Sequence, residues 1–511
     1  MNVLKKGGNA IDAAITTAHV LGVAAPPFSG IGGGGFALIW LSREEKAVFI
    51  DFREKAPSAA REDIFKLTPT GSVVGAENAI GYKAVAVPGA IAGHASILAD
   101  YGTLRFGQTL DPAARIARQG FRVGRALAYT WRLGAKKLHR FAESKLTYLK
   151  RGRPYVEGDK VALPSLARTL VTIGREGGEE FYKGSIAREL AKDMAANKGL
   201  ITTGDLEEYQ PTVREPLRGS YKEYEIISAP PPSVGGAIIL QSLNILQNFS
   251  LEDYGNGSTR GLHILAETLM RSFLSCSTRI SDPAFSNPPI ERLLSKAEAR
   301  ELAAAISPDK ASTLPPRSLP VMPASNTTHL VAIDAERNIV SLTESLECYF
   351  GSGVTVPSTG IILNDTMHDF EPRPKTVNSV APRKVPMSNM SPTIVLKDGQ
   401  PSLALGAAGG PRIASVTLQV LLNAIEYGMK LCDAVATPRI HVNGRRVQME
   451  GTIRRQAANA LRKMGHSVEV KRPGKDDPGL YFGGVHAAQI SDDNTLVGAP
   501  DPRRDGLALG F

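Results

Sequence analysis

The chain has 511 residues, of which 42% are hydrophobic, 22% charged and 6% aromatic, and its formal net charge is +10. Such a composition excludes disorder as the main state, and the length allows about three domains or fewer large ones. The three cysteines, Cys276, Cys348 and Cys432, form no CxxC and cannot all pair, which excludes a disulfide scaffold and a zinc-ribbon site.

The start, Met1-Asn2-Val3-Leu4-Lys5-Lys6, has two lysines but no apolar segment behind them, so no secretory signal is expected from the chain as written. Residues 9–23 read as a helix that is apolar on all sides and therefore buried. A glycine run, Ser29-Gly-Ile-Gly-Gly-Gly-Gly35, follows Pro26-Pro27 and precedes two expected strands, 36–41 and 47–52. Helices are expected at 89–101, 111–119, 125–150, 164–175 and 185–197. The basic residues from Lys136 to Arg153 suit the solvated face of the third of these. Nothing resembling a zinc finger, RRM or KH motif accompanies them, so no nucleic-acid partner is expected.

Residues 209–230 alternate and end at Pro230-Pro231-Pro232-Ser-Val-Gly-Gly236, after which helices are expected at 236–247, 259–275 and 294–306. The proline-bearing stretch 307–326 reads as an extended loop. Beyond it the texture turns to strands. Residues 328–334 and 338–346 form one expected hairpin, and 393–397 and 402–406 another with its turn at Asp398-Gly399. Helices are expected at 413–427 and 453–464. No apolar stretch approaches the roughly 20 residues that span a bilayer, so no membrane span is expected.

Gly30-Ile31-Gly32-Gly33-Gly34-Gly35 matches G-x-G-x-x-G formally, but it follows a helix and opens a strand, the reverse of a dinucleotide site. A run of this kind lets backbone pass close to another element or a ligand. P-loop, HExxH and GxSxG sequences are absent, and no metal constellation is legible. No cofactor is expected.

Asn326-Thr327-Thr328-His329 lies where the proline-rich loop meets a strand. A threonine hydroxyl needs a base, and a chain-terminal threonine carries one in its own α-amine. Its pKa, near 7.7–8, leaves a good fraction neutral at neutral pH. Met1 removal would leave Asn2, so such a terminus requires a cut between Asn326 and Thr327. Gly409-Gly410, between a strand and a helix, either makes a plain turn or converges two N–H groups on an oxyanion.

The ordered set of motifs resembles the γ-glutamyltransferase (glutathione hydrolase) family of N-terminal nucleophile hydrolases. It runs from Gly7-Gly-Asn-Ala-Ile-Asp-Ala-Ala14 through Gly32-Gly-Gly-Gly-Phe36, Asp51-Phe-Arg-Glu-Lys-Ala-Pro57, Ala86-Val-Pro-Gly89 and Pro230–Gly236. In the back segment it includes Asn326–His329, Phe350-Gly-Ser-Gly353, Gly360-Ile-Ile-Leu-Asn364, Met387-Ser-Asn-Met-Ser-Pro-Thr393 and Gly406-Ala-Ala-Gly-Gly410.

The resemblance implies an α+β fold, the four-layer αββα sandwich, made as an inactive precursor. Cutting before Thr327 would give a large chain 1–326 and a small chain 327–511 that stay associated as one intertwined domain. Thr327 would be nucleophile and base, Thr343 and Ser345 would orient the new terminus, and Gly409 and Gly410 would form the oxyanion hole. Arg53, Ser388 and Asn389 would hold the α-carboxylate of a γ-glutamyl donor. Asp369 and Glu347 would hold its ammonium. Thr366 stands where the family has glutamine or glutamate. Ala407-Ala408 and Pro411 also depart from the usual residues.

The short stretch between Phe370 and Met387 implies a pocket without the family lid, open to bulky or polymeric donors. The family's upstream strand and frequent signal peptide do not precede Met1, which points to a start further upstream. Location is then cytoplasmic as written, or periplasmic or secreted with such a start. The expected partners are a small γ-glutamyl donor and a water or amino-acid acceptor. Two other readings stay open: the same scaffold acting on another acidic amide, oxamate-like or cephalosporin-type, and a non-catalytic anion-binding relative.

Overall fold

The structure is a computed structural model that describes residues 1–312, 325–474 and 476–510. In chain order the strands of its two large sheets are β1 (Gly34–Leu41), β2 (Lys46–Phe52), β3 (Thr212–Arg214), β4 (Leu217–Tyr221), β5 (Tyr224–Ser228), β6 (Ser325–Ile333), β7 (Ile339–Cys348), β8 (Thr393–Lys397), β9 (Gln400–Ala408), β10 (Gly484–Ile490) and β11 (Leu496–Ala499). The described residues fall into two units, 1–214 with 325–387, and 215–312 with 388–510 except residue 475.

The first unit is built on an antiparallel sheet in the order β3-β2-β1-β7-β6. Every residue of β1 is buried, which explains its unbroken apolar sequence. Ala37, Ile39 and Leu41 pack with Val340 and Leu342 of β7 against Ile11, Ala14, Ile15 and Ala18 of the Ala10–Ala24 helix. A buried isoleucine or leucine contributes roughly 1.5–3 kcal/mol here. By the two-residue period of a strand, Thr343 and Ser345 point to the opposite face. Glu344 shares the helix face and pairs with buried His94.

The Gly7–Ala14 motif is a helix start. Asn9 Oδ1 accepts from the Asp12 N–H at 2.9 Å, and Asp12 Oδ2 accepts from the Asn9 N–H at 2.9 Å. This reciprocal cap is worth about 1 kcal/mol. Buried Asp12 also accepts from the N–H groups of Thr103 (2.9 Å) and Leu104 (3.0 Å).

The second unit carries a sheet in the order β11-β10-β9-β8-β5-β4, again antiparallel. The Gly235–Leu246 helix is buried along its whole length and packs against the Thr259–Ser277, Lys296–Ala304 and Ile413–Ile425 helices.

Several expectations shift. The helix expected at 111–119 starts at Phe106 and carries Pro112 inside it. The helix expected over 125–150 is two, Arg125–Leu138 and Ala142–Tyr148. Phe141 is extended at the break, and Ser144 donates to Gly353 O at 2.6 Å. The helix expected at 294–306 runs over Lys296–Ala304, and a separate short helix, Ile290–Leu293, precedes it. A small sheet of Ile440–Asn443, Arg446–Glu450 and Ser467–Lys471 adds to the expected elements, its last pair being parallel across the Arg455–Lys463 helix. Most of the 307–326 loop lies outside the described residues.

Candidate active site

Thr327 lies on β6, one residue beyond an irregularity in the β6–β7 ladder. Asn326 pairs with Glu347 and Thr327 with Ser345, so a residue is skipped between them. The bulge coincides with Glu347 in the left-handed backbone region, φ 78°. A non-glycine residue held there stores roughly 1–3 kcal/mol of strain, which the surrounding structure must offset.

The bulge puts one hydroxyl on the Asn326–Thr327 peptide. Ser345 Oγ lies 2.8 Å from Asn326 O and 3.3 Å from Thr327 Oγ1. A carbonyl only accepts, so the single Ser345 proton goes to Asn326 O. Ser345 Oγ then accepts from Thr327 and from the Glu347 N–H at 2.8 Å. Thr343 is elsewhere on the same face, with Oγ1 2.9 Å from His329 Nδ1.

Glycines are required where β7 passes the Gly30–Gly35 run. A Cβ at Gly33 would lie 2.1 Å from Ser345 O, and one at Gly35 would lie 2.2 Å from Thr343 O. Close backbone approach is therefore the use of this run, as its place before a strand implied.

Arg53 follows the end of β2 and is almost fully buried, at 1% exposure. Its NH2 pairs with Asp369 and lies 3.6 Å from Glu347 Oε2, while NH1 is 3.6 Å from Glu54 Oε2. Burial opposes the Arg53 charge, but Asp369, Glu54 and Glu347 outweigh it and raise its pKa. Burial pushes Asp369 well above the carboxylate range, and nearby Glu347 adds to this against the pull of Arg53. Burial likewise raises Glu54 to about 7, against Arg53.

Thr366 Oγ1 donates to Glu54 Oε1 at 2.9 Å. Arg53 Nε and NH1, Glu54 Oε2 and Asp369 Oδ1 have no hydrogen-bond partner among the described residues. The cluster thus has more acids than cations, together with unused guanidinium donors. That charge pattern suits a ligand carrying both an ammonium and a carboxylate.

Ser388, Asn389, Gly409 and Gly410 belong to the second unit. Ser233, from the triple-proline motif, donates to Met390 O at 2.7 Å, and Ser233 pairs with Ser388 as an isolated bridge. That motif therefore holds the Ser388–Met390 segment. Gly409 (φ 145°) and Gly410 (φ 59°) end β9 in conformations that L-residues rarely adopt, and a 3-10 turn leads from them into the Ile413–Ile425 helix.

The family model described as gamma-glutamyltranspeptidase matches residues 1–511. The chain belongs to the gamma-glutamyltranspeptidase family. It is 36% identical over 528 residues to the glutathione hydrolase proenzyme of Escherichia coli K12, covering all of this chain and 89% of the relative. It is 38% identical over 514 residues to the acylase ACY 1 proenzyme of Pseudomonas sp. strain V22, covering all of this chain and 90% of that one. Among solved structures it is similar to the cephalosporin acylase of Bacillus halodurans, with a TM-score of 0.89 and 30% identity over 99% of this chain and 92% of that one. The fold is accordingly the α+β sandwich of the N-terminal nucleophile hydrolases, and the chain is an enzyme of the gamma-glutamyltranspeptidase family.

Within this family fold, Glu54 joins the Arg53 cluster with no local pattern to mark it. It directly follows Arg53, and strand alternation would have pointed it away from its neighbour. β2 ends at Phe52, so alternation no longer applies and both side chains enter one cluster. No helix among the described residues is long and apolar enough to cross a membrane. One His/Glu group close enough to hold a metal, His263, Glu267 and His466, lies in the second unit.

Proposed function

We propose that this chain cuts itself between Asn326 and Thr327, and that the new terminus carries γ-glutamyl transfer and hydrolysis. The observation that carries the first step is the Ser345 hydroxyl, which donates to the Asn326 carbonyl while lying 3.3 Å from the Thr327 hydroxyl. Donation polarises the carbonyl that Thr327 Oγ1 attacks. An O–C bond forms, the Thr327 hydroxyl proton passes to the peptide nitrogen, the C–N bond breaks, and Asn326 becomes an ester on Thr327 with a free α-amine. Water then hydrolyses that ester, leaving an Asn326 carboxylate and the Thr327 hydroxyl.

In turnover the Thr327 α-amine takes the hydroxyl proton and delivers it to the leaving amine. The acyl-enzyme is released to water or to an amino acid. Arg53, through its unused Nε and NH1 donors, binds the donor's α-carboxylate, and the acids Asp369 and Glu347 bind its ammonium. Thr343 supports the terminus through the adjoining His329. The oxyanion role of Gly409 and Gly410, and the carboxylate role of Ser388 and Asn389, rest on the resemblance. Two associated chains, 1–326 and 327–511, follow from the cut.

Intact mass with N-terminal sequencing tests the first step. Two pieces with a new Thr327-Thr328-His329 terminus are expected, and a single chain from Thr327→Ala. A wild-type chain that stays whole through long incubation at neutral pH refutes the proposal. The similarity to acylases favours a second reading, the same nucleophile on another acidic amide. Cleavage of a cephalosporin-type amide without cleavage of γ-glutamyl-p-nitroanilide would decide for it.

A further inference from the structure

In the second unit, His263 and Glu267 stand one turn apart on the Thr259–Ser277 helix, and His466 directly precedes the Ser467–Lys471 strand. All three are buried, and one ligand atom from each lies within 4.8 Å of the others. His263 Nδ1 is 2.7 Å from His466 Nε2, and His466 Nε2 is 4.0 Å from Glu267 Oε1. None of these side chains takes part in the reaction proposed above.

The hydrogen bonds around the cluster determine which atoms carry protons. His263 Nε2 lies 2.7 Å from Ser307 O, which can only accept. Nε2 therefore holds the proton, and in the neutral ring Nδ1 presents a lone pair. His466 Nε2 is then the donor to His263 Nδ1, so a single proton stands between the rings beside the carboxylate. Glu267 is fixed as well, by the Ser312 N–H on Oε1 at 3.1 Å and by Arg271 NH1 on Oε2 at 2.6 Å. A carbonyl behind one imidazole and donors behind the carboxylate are the contacts that orient metal ligands.

We infer that His263 Nδ1, His466 Nε2 and Glu267 Oε1 form a site for a divalent ion of the zinc class. On binding, the proton on His466 Nε2 moves to Nδ1 of the same ring, and the ion takes its place between the two imidazoles and the carboxylate. Tetrahedral zinc with bonds of about 2.0–2.1 Å needs ligand atoms roughly 3.3 Å apart. The histidine pair must open by about 0.6 Å, Glu267 Oε1 must approach His466 Nε2 by about 0.7 Å, and no pair must close by more than about 1.5 Å, changes within reach of side-chain rotation. Two imidazoles and one carboxylate favour zinc, cobalt or nickel over magnesium or calcium. The Arg271 charge behind Glu267 opposes a dication and favours hydroxide or another anion at the fourth position.

Chelator-stripped, full-length processed protein is titrated with Zn2+ by calorimetry, with bound metal counted after gel filtration. Co2+ provides a visible spectrum for geometry. About one equivalent per molecule is expected, with tetrahedral cobalt absorption and a raised unfolding temperature. His466→Gln and His263→Gln are expected to weaken binding by at least about 10–100-fold, the loss seen even for outer-contact substitutions. Circular dichroism shows whether these variants fold, and the wild-type titration stands without them. A wild-type protein that retains no zinc overturns the inference, as does unchanged binding by both folded variants.

Discussion

Ser345→Ala removes one atom whose contacts are fully specified. The Ser345 proton is committed to Asn326 O at 2.8 Å, and the oxygen accepts from Glu347 N at 2.8 Å and Thr327 Oγ1 at 3.3 Å. The 3.3 Å contact is longer than a usual O–H···O bond, so holding the nucleophile contributes little. The donor on the scissile carbonyl contributes most. Loss of one preorganised oxyanion donor slows acyl transfer by about 10²–10³, or about 2.7–4 kcal/mol. Self-cleavage of Ser345→Ala is therefore expected to fall at least about 100-fold. The assay follows disappearance of the intact chain on denaturing gels after rapid purification. Ser345→Thr, which keeps the hydroxyl, is expected to cleave near the wild-type rate. A folded alanine variant that matures within about threefold of wild type would refute the reasoning, since loss of such a donor typically costs about 10²–10³.

Glu54 is raised from 4.5 to about 7 by burial, partly countered by Arg53. The folded state holds that proton more tightly than the unfolded chain, so the stability it contributes is complete below about 4.5 and is lost as pH rises through about 7. The span corresponds to about 3 kcal/mol, and Glu54→Gln removes it. Thermal unfolding of Thr327→Ala single chains with and without Glu54→Gln, at pH 5 and 7.5, is expected to show the Gln variant gaining as pH rises. Parallel pH curves would rule the effect out. Arg53→Lys loses the planar fork, worth about 1.5–3 kcal/mol, so KM for γ-glutamyl-p-nitroanilide should rise about 10–100-fold, more than kcat falls. Equal KM values in steady-state kinetics would exclude Arg53 from binding. Asp12→Ala loses the reciprocal half of the helix cap, the carboxylate that accepts from the Asn9 N–H, and leaves the Thr103 and Leu104 N–H groups unmet. A loss of about 3 kcal/mol is expected in chemical unfolding, and an unchanged midpoint would contradict this. Gly409→Ala meets a φ of 145° and puts a Cβ 2.9 Å from Gly483 Cα. It should slow turnover more than it affects maturation, as separate time courses of acyl transfer and chain cutting would reveal.

Strands and buried helices were legible where one face or all faces are apolar, as in β1 and the Ala10–Ala24 helix. The break at Phe141 was not, because it follows from contacts with residues more than 200 positions away, such as Ser144 with Gly353. The site divides in the same way. Arg53, Asp369 and Thr327 were marked by motif, whereas the Glu54–Thr366 bond spans 312 positions and leaves no local pattern. His263 and His466, 203 positions apart, leave none either.

The amino-acid sequence by itself determined most of the helices and the strands of the large sheets, and the family to which the chain belongs. These depend on neighbours along the chain, through periodicity and glycine's backbone freedom. Only the tertiary structure decided that the Ser345 proton lies on the Asn326 carbonyl, that Glu347 sits in a strained bulge, and that Glu54 joins the Arg53 cluster. Those facts depend on where strands pair and which charges are buried together. Both are set by long-range packing, which no local pattern encodes.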